Sequence, residues 1–382
     1  MIYFDNAATT FVKPRSVHYA VNRAMRNYGA NPGRSGHSLA LAASSVVYEC
    51  RCKVAKFFGC PKEENVVFTL NGTMSLNMAI KGVAKKGSHF IISCLEHNAV
   101  ARPVDTLKRR GIIEYDVAKV YNSDEETVES FKKLIKSNTK AIVCTHVSNV
   151  FGNVLPIEKI GQLARESGIT FIVDAAQSAG ILNIDMKKMN IDILCMPAHK
   201  GLFAPMGLGI MLCSSSLPLE TLIEGGTGSA SSSLVQPDFM PDRFESGTVN
   251  LPAIAGLDAG VEFINSVGIK NIFNHEQRMV RYMYDEFSKL DGIELYTPRP
   301  KLPGFAPLLS FNIAEVGSDK VAQLLDEENI AVRAGLHCAY LAHSHYGTIG
   351  TGTVRLSPSL FNTVDEAKNV VRIVKKIKKY LS

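Results

Sequence analysis

The stretch "TFIVDAAQSAGILNIDMKKMNIDILCMPAHKG", residues 170–201, holds two short apolar runs, each closed by polar side chains. "TFIVDAA" (170–176) and "IDILCMPA" (191–198) read as strands, because a short apolar run without polar alternation is typical of a strand covered on both faces. The first ends on Asp174, with Gln177 shortly after, and the second is followed by His199 and Lys200. Working outward, "NVVFTL" (65–70), "HFIISC" (89–94), "AIVCTHVS" (141–148) and "LGIMLC" (208–213) repeat the pattern. Several intervals between them read as helices. In "IEKIGQLARES", Ile157, Ile160 and Ala164 line one face and Gly168 is the stop signal. Apolar strands joined by helical crossovers predict a mostly parallel sheet in an α/β fold. "LGIMLC" follows the fifth strand too closely for a crossover helix, so it is expected to run antiparallel.

A chain of 382 residues exceeds what one core usually serves, so a second domain is expected. After residue 250 the pattern gives a helical stretch over roughly 252–290, the strand "PLLSFNI" and a helix near 319–328. "TVRLS" and a tail helix complete this smaller α+β part. In the tail, Val370, Val374, Ile377 and Leu381 recur at helical spacing, with Lys375, Lys376, Lys378 and Lys379 between them. The segment 232–241 is polar and reads as an exposed loop.

Composition is that of a soluble globular protein, 46% hydrophobic and 20% charged. The net charge of +6 comes with no nucleic-acid recognition motif, so nucleic acid is not an expected partner. No apolar run reaches spanning length, so no membrane role is expected. "MIYFDNAATTF" has no basic segment followed by an apolar one, and the cytoplasm is the default location. Cys50, Cys52, Cys60, Cys94, Cys144, Cys195, Cys213 and Cys338 lie mostly in apolar or helical runs, which argues against a disulfide framework. No zinc spacing emerges, and no metal is expected.

In open sheets of this kind, ligands gather beyond the carboxyl ends of the strands. There the sequence places Asn71, Gly72 and Thr73, whose helix start suits a phosphate. Glu96, His97 and Asn98 follow the second strand, Asn149 follows the third, and then come Asp174, Gln177, His199 and Lys200. A lysine forms a Schiff base with an aldehyde cofactor. An aspartate holds a pyridinium nitrogen protonated, so that the ring accepts electrons from a carbanion. An imidazole stacks on such a ring, while Thr73 and His199 donate to a phosphate. Together these residues read as a pyridoxal phosphate site.

"DNAATT" (5–10), "DAAQSAG" (174–180), "AHKGLFAPMGLG" (198–209), "RFESGTVN" (243–250), "RAGLHC" (333–338) and "VRLSPSLFNT" (354–363) run nearly end to end. The chain resembles the cysteine desulfurase and selenocysteine lyase branch of the class V aminotransferase family. The resemblance implies the type I pyridoxal-phosphate fold: a large domain with a mostly parallel seven-stranded sheet, a smaller α+β C-terminal domain, and a homodimer with active sites near the interface. The corresponding domains are an N-terminal arm (1–15) joining the small domain, a large domain (16–251) and a small domain (252–382) carrying Cys338 and Arg355.

It further implies Lys200 as the Schiff-base lysine, Asp174 at the pyridine nitrogen, Gln177 at the phenolic oxygen and His97 on the ring. Gly72, Thr73 and His199 would cradle the phosphate, and Thr227, in "EGGTGS", would reach the phosphate of the neighbouring subunit's cofactor. Asn149 and Arg355 would hold the substrate's carboxylate, and His37, in "NPGRSGHS", would border the substrate entrance. A guanidinium independently suits a carboxylate, which it binds with two prongs.

For Cys338, a metal ligand with His337, His343 and His345, a buried inert thiol, and a nucleophile are the three readings. Its closeness to Arg355 and the family match favour the nucleophile. The implied reaction converts L-cysteine to L-alanine, leaving a persulfide on Cys338 for a thiol or protein acceptor. The short spacing to Arg355 resembles the family's second group, whose cysteine sits on a restrained loop. "LAHSHYGTIGTG" (341–352) departs from the usual pattern, and His337 or His345 is a candidate to lower the Cys338 pKa or donate a proton. Selenocysteine lyase is the nearest alternative, with L-selenocysteine as substrate. Transamination, decarboxylation or epimerisation of another amino acid would not need Cys338. A catalytically silent dimeric scaffold would not need Lys200 and Asp174.

Overall fold

The computed structural model describes residues 1–33, 36–214 and 217–381. Seven strands form the large sheet, in the order Val66–Thr69, Gly209–Cys213, Ile193–Pro197, Thr170–Asp174, Thr139–Thr145, Ser88–Ser93 and Ile113–Ala118. Pairs from Ile193–Pro197 to Ile113–Ala118 are parallel, whereas Gly209–Cys213 runs antiparallel to both neighbours. The antiparallel strand is where the short connection placed it. All residues of Val66–Thr69, Ser88–Ser93, Ile193–Pro197 and Gly209–Cys213 are buried, which is why they read as unbroken apolar runs. Ile113–Ala118 escaped that pattern. It is an edge strand with Glu114 and Val117 exposed, so its apolar residues are interrupted.

Helices cover both faces. Ile157–Glu166 buries Ile157, Ile160 and Ala164 and ends before Gly168, whose φ of 65° suits a residue without Cβ. The expected helix over 252–290 is two helices, Leu251–Val267 and Ile269–Phe287, parted by Gly268 at φ 87°. Leu251–Val267 packs on Arg15–Asn27 and Ser38–Phe58, and its Ile254, Leu257, Val261 and Ile264 join the large core. The residues from 251 to 267 thus pack beside the large sheet's helices.

The smaller unit holds a three-stranded antiparallel sheet, ordered Val354–Leu356, Leu309–Ile313, Ile293–Leu295. Ile2–Tyr3 pairs in parallel with Ile330–Ala331, and Phe4 sits in this second core beside Met283, Phe311 and Val374. The tail helix Val364–Leu381 buries Val370, Val374 and Ile377 and leaves Lys375, Lys376 and Lys379 exposed, with Lys378 half-buried. Each such aliphatic side chain contributes roughly 1.5–3 kcal/mol on burial. Residues 232–241 carry no helix or strand, and 232–235, 238 and 239 are exposed while Gln236, Pro237 and Met240 are half-buried. Among the described residues, no helix is long and apolar enough to cross a membrane.

Candidate active site

The carboxyl ends of the strands bring together most of the polar residues singled out above. Thr170–Asp174 delivers Asp174, 3% exposed, whose Oδ1 accepts from the Ala176 N–H at 2.9 Å. Burial raises its pKa, and the nearby Lys200 cation opposes that rise. Lys200 follows the strand Ile193–Pro197. Burial, with the Arg355 charge adding to it, pulls its ammonium down to about 8. A buried amine that sheds its proton this readily is a good nucleophile and base.

His97 caps the helix Asn98–Arg109, its Nδ1 accepting from the Ala99 N–H at 3.0 Å. Burial first, then Lys200 and Arg333, hold its pKa down to about 4, so the ring is flat and neutral near pH 7. His199 is likewise lowered to about 4 by burial and by Lys200 and Lys13, with Nδ1 at 2.9 Å from Thr9 Oγ1. Asn71 accepts from Met74 N–H at the start of the helix Gly72–Val83, where Thr73 stands exposed. Gly72 lets this helix lie against the strand leading to Lys200: a Cβ there would come 2.8 Å from Pro197 Cδ and 2.9 Å from its N.

The N-terminal "DNAATT" strip crosses the same turn. Thr10 Oγ1 donates to the Lys200 carbonyl at 2.9 Å, Lys13 Nζ to the His199 carbonyl at 2.7 Å, and Gln177 Nε2 to the Ala7 carbonyl at 2.9 Å. Thr9, Thr10 and Lys13 carried a legible signal, hydroxyls and a cation in a short motif, yet were not singled out.

Arg355 is 1% exposed. Its Nη1 donates to the Asn149 carbonyl at 2.8 Å and its Nη2 to Asp5 Oδ1 at 2.7 Å, while Nε is buried without a partner. Asn149 Nδ2 donates to the His337 carbonyl at 2.8 Å, and its Oδ1 is also buried and unpartnered. An acceptor and a donor thus stand ready for a ligand bearing both kinds of group.

Cys338 is exposed on a turn, in contrast to the buried Cys50, Cys94, Cys144, Cys195 and Cys213. His337 and Cys338 both have positive φ, 49° and 55°, a conformation costly for non-glycine residues. Contacts hold it: the Cys338 carbonyl accepts from the Asn98 N–H at 2.7 Å, and the Asn149 bond secures His337. Arg333 Nη2 lies 3.8 Å from the sulfur. His337 is not the activator considered above. It is buried, stacked on His343 at 5.7 Å, and driven down to about 2 by burial and Arg355, so it carries no charge to steady a thiolate. Arg333 is the cation beside the sulfur. His345 is also lowered by burial and packs edge-on against Tyr346. Among the described residues, no group of three or more His, Cys, Asp or Glu is placed to hold a metal.

Two candidates lie apart. His37 caps the helix Ser38–Phe58 through the Ala40 N–H, exposed and bonded to none of the other candidates. Thr227 lines a separate cavity with Asn31, Tyr48 and Arg51, its hydroxyl turned to Ser229. Glu96 carried no role in the sequence reading. It is fully buried, accepts from the Thr145 N–H at 2.8 Å and from Ser93, and is pushed up to about 8 by burial.

The sequence matches the family described as Aminotransferase class-V over residues 2–370. A protein of Methanothermobacter thermautotrophicus named "Probable cysteine desulfurase" is 35% identical over 376 residues, 96% of this chain and 92% of the relative. Another so named, of Pyrococcus abyssi, is 32% identical, covering 100% of this chain and 95% of the relative. The apo structure of cysteine desulfurase from Thermococcus onnurineus NA1 superposes with a TM-score of 0.92 at 31% identity, covering 99% of this chain and 94% of that one. That of the Escherichia coli cysteine desulfurase CsdA, as its S-sulfonic acid, gives 0.87 at 25% identity, covering 99% and 94%. The chain belongs to the class-V aminotransferase family, within its cysteine desulfurase branch.

Proposed function

We propose that this enzyme converts L-cysteine to L-alanine with pyridoxal phosphate, taking the sulfur onto Cys338 as a persulfide. The observation that carries the reading is the set of bonds around Cys338. They join an exposed thiol to the residue after His97 and, through Asn149, to Arg355.

The residues fit the cofactor. Lys200 is a buried amine with a lowered pKa, Asp174 a buried carboxylate, His97 a neutral ring, and Thr73 an exposed hydroxyl on a helix N-terminus. Asp174 would hold the pyridine nitrogen, Lys200 the aldehyde carbon and Gln177 the phenolic oxygen. Gly72, Thr73 and His199 would hold the phosphate. When bound, pyridoxal phosphate accepts the electron pair released at the substrate's Cα.

The chain's own residues do the rest. Arg355 fixes the substrate carboxylate through its unpartnered Nε–H, and Asn149 through the second hydrogen of its Nδ2, the first being held by the His337 carbonyl. Lys200 Nζ, near 8, takes the Cα proton and later returns one. The Cys338 thiolate bonds to the substrate's sulfur. The C–S bond breaks with its electron pair on the substrate carbon, which takes up a proton to become the methyl of alanine. Arg333 Nη2 lies 3.8 Å from the sulfur that reacts. Exposure of Cys338 then opens the persulfide to a thiol or protein acceptor.

The chain works as a homodimer in this reading. Exposed Phe11, Tyr19, Met25, Leu234 and Val235 need cover, and Thr227 then serves the partner's phosphate. His37 lies at the rim of the entrance.

The test supplies L-cysteine or L-selenocysteine to the cofactor-loaded protein with a reducing thiol. Alanine and sulfide from cysteine, abolished by Cys338→Ala, support the reading. Turnover of selenocysteine alone makes the enzyme a lyase, and no alanine from either overturns the substrate class.

A further inference from the structure

Arg355 already has a carboxylate. Asp5, from the N-terminal arm, bonds its Nη2 at 2.7 Å, and among the described residues it is the only carboxylate bonded to that guanidinium. The arm holds Asp5 firmly: Asp5 bridges Ser357 in parallel, Ser357 N–H donates to the Phe4 carbonyl at 2.7 Å, and Ala7 N–H donates to Ser357 Oγ at 2.9 Å. Arg355 Nη1 is taken by the Asn149 carbonyl, which leaves Nε without any partner. A guanidinium has five N–H donors, so Arg355 keeps a donor for a second carboxylate beside the first. It would enter next to a fixed negative charge.

We infer that Asp5 is a specificity-determining residue: it shares Arg355 with the substrate and weakens the site's hold on a bare carboxylate. This rests on Arg355 being the carboxylate clamp. A substrate attached through its amine as well bears the same repulsion but starts from a hold strong enough to keep it bound. Alanine, once freed from the cofactor, keeps only the shared contact and leaves. Simple monocarboxylates are rejected in the same way. The alternative, in which Asp5 merely props up Arg355, has the opposite sign, because loss of the prop loosens the clamp.

Two carboxylates several ångströms apart at an effective dielectric near 20 repel by enough to change affinity roughly ten- to a hundredfold. The experiment is calorimetric titration of the cofactor-loaded protein with propionate, which has no amine, for wild type, Asp5→Asn, Asp5→Glu and Arg355→Gln. Asp5→Ser stands in where Asp5→Asn does not fold. The expected result is at least tenfold tighter propionate binding in Asp5→Asn or Asp5→Ser, and affinity near wild type in Asp5→Glu. Unchanged or weaker binding in a folded Asp5→Asn or Asp5→Ser protein overturns the inference. Arg355→Gln separates the two claims: if propionate binding is indifferent to it, the clamp reading fails as well. If it abolishes binding while the Asp5 variants do not tighten it, only the role of Asp5 falls.

Discussion

Replacing Glu96 by glutamine tests the electrostatics beneath the site. Glu96 has no exposed surface, its Oε2 has no partner, and burial pushes its carboxyl up to about 8 from 4.5. A raised folded-state value means that the folded protein binds the proton more tightly than the unfolded chain. The stability this group supplies is therefore complete below about 4.5 and lost as pH rises through about 8. Linkage places the cost of keeping Glu96 protonated at about 1 kcal/mol near pH 5 and about 4 kcal/mol near pH 7.5. Glutamine keeps an acceptor for the Thr145 N–H and Ser93 and has no proton to lose. Glu96→Gln should thus gain about 3 kcal/mol on wild type between pH 5 and 7.5. Any packing loss from the amide is the same at both pH values and cancels. Paired urea unfolding curves of the two proteins at both pH values measure the difference. Infrared spectra of wild type should also show a protonated-acid carbonyl band that the variant lacks. A pH-independent offset between the two proteins would refute the argument.

The buried imidazoles act with the opposite sign. His97, His146 and His199 are lowered to about 4, so the stability they give is lost as pH falls from 6.5 through about 4. For His146, 5% exposed, this amounts to about 2 kcal/mol near pH 5, and His146→Gln should flatten the acid limb of the stability curve by that much in urea titrations. A limb as steep as that of wild type would contradict it. Gly72→Ala places a Cβ 2.8 Å from Pro197 Cδ, which should cost roughly 1–3 kcal/mol and push Thr73 away from the strand end. Its cofactor affinity, followed by absorbance titration, should drop about tenfold, whereas unchanged binding would remove Gly72 from the cradle.

The centre of the sheet was legible because parallel strands buried on both faces are continuous apolar runs, and the polar residues closing them mark the ligand end. Asp174, His97 and Lys200 belong to that class. Ile113–Ala118 was not, because an edge strand exposes Glu114 and leaves Asp116 half-buried. Gly268 inside a helical pattern hid a break that only its φ of 87° reveals; the first helix packs in the large core, while the second gives Ile272 to that core and Met279, Val280, Met283 and Phe287 to the smaller one. Asp5 stood in the sequence only as part of "DNAATT", and its bond to Arg355 spans 350 positions. Glu96 reads as a polar residue at a strand end; its neutrality follows from complete burial, which no local pattern encodes. His337 looked like an activator of its neighbour Cys338, whereas stacking and burial keep it uncharged.

The central claim is that Cys338 takes the substrate's sulfur. The most direct measurement is mass spectrometry of the cofactor-loaded protein after one turnover of L-cysteine without a reducing thiol, with alanine measured in the same sample. The account predicts one added sulfur atom on the peptide containing Cys338 for each alanine released, and neither in Cys338→Ala. Alanine formed at an undiminished rate by Cys338→Ala, or with no sulfur on Cys338 in the wild type, would contradict it.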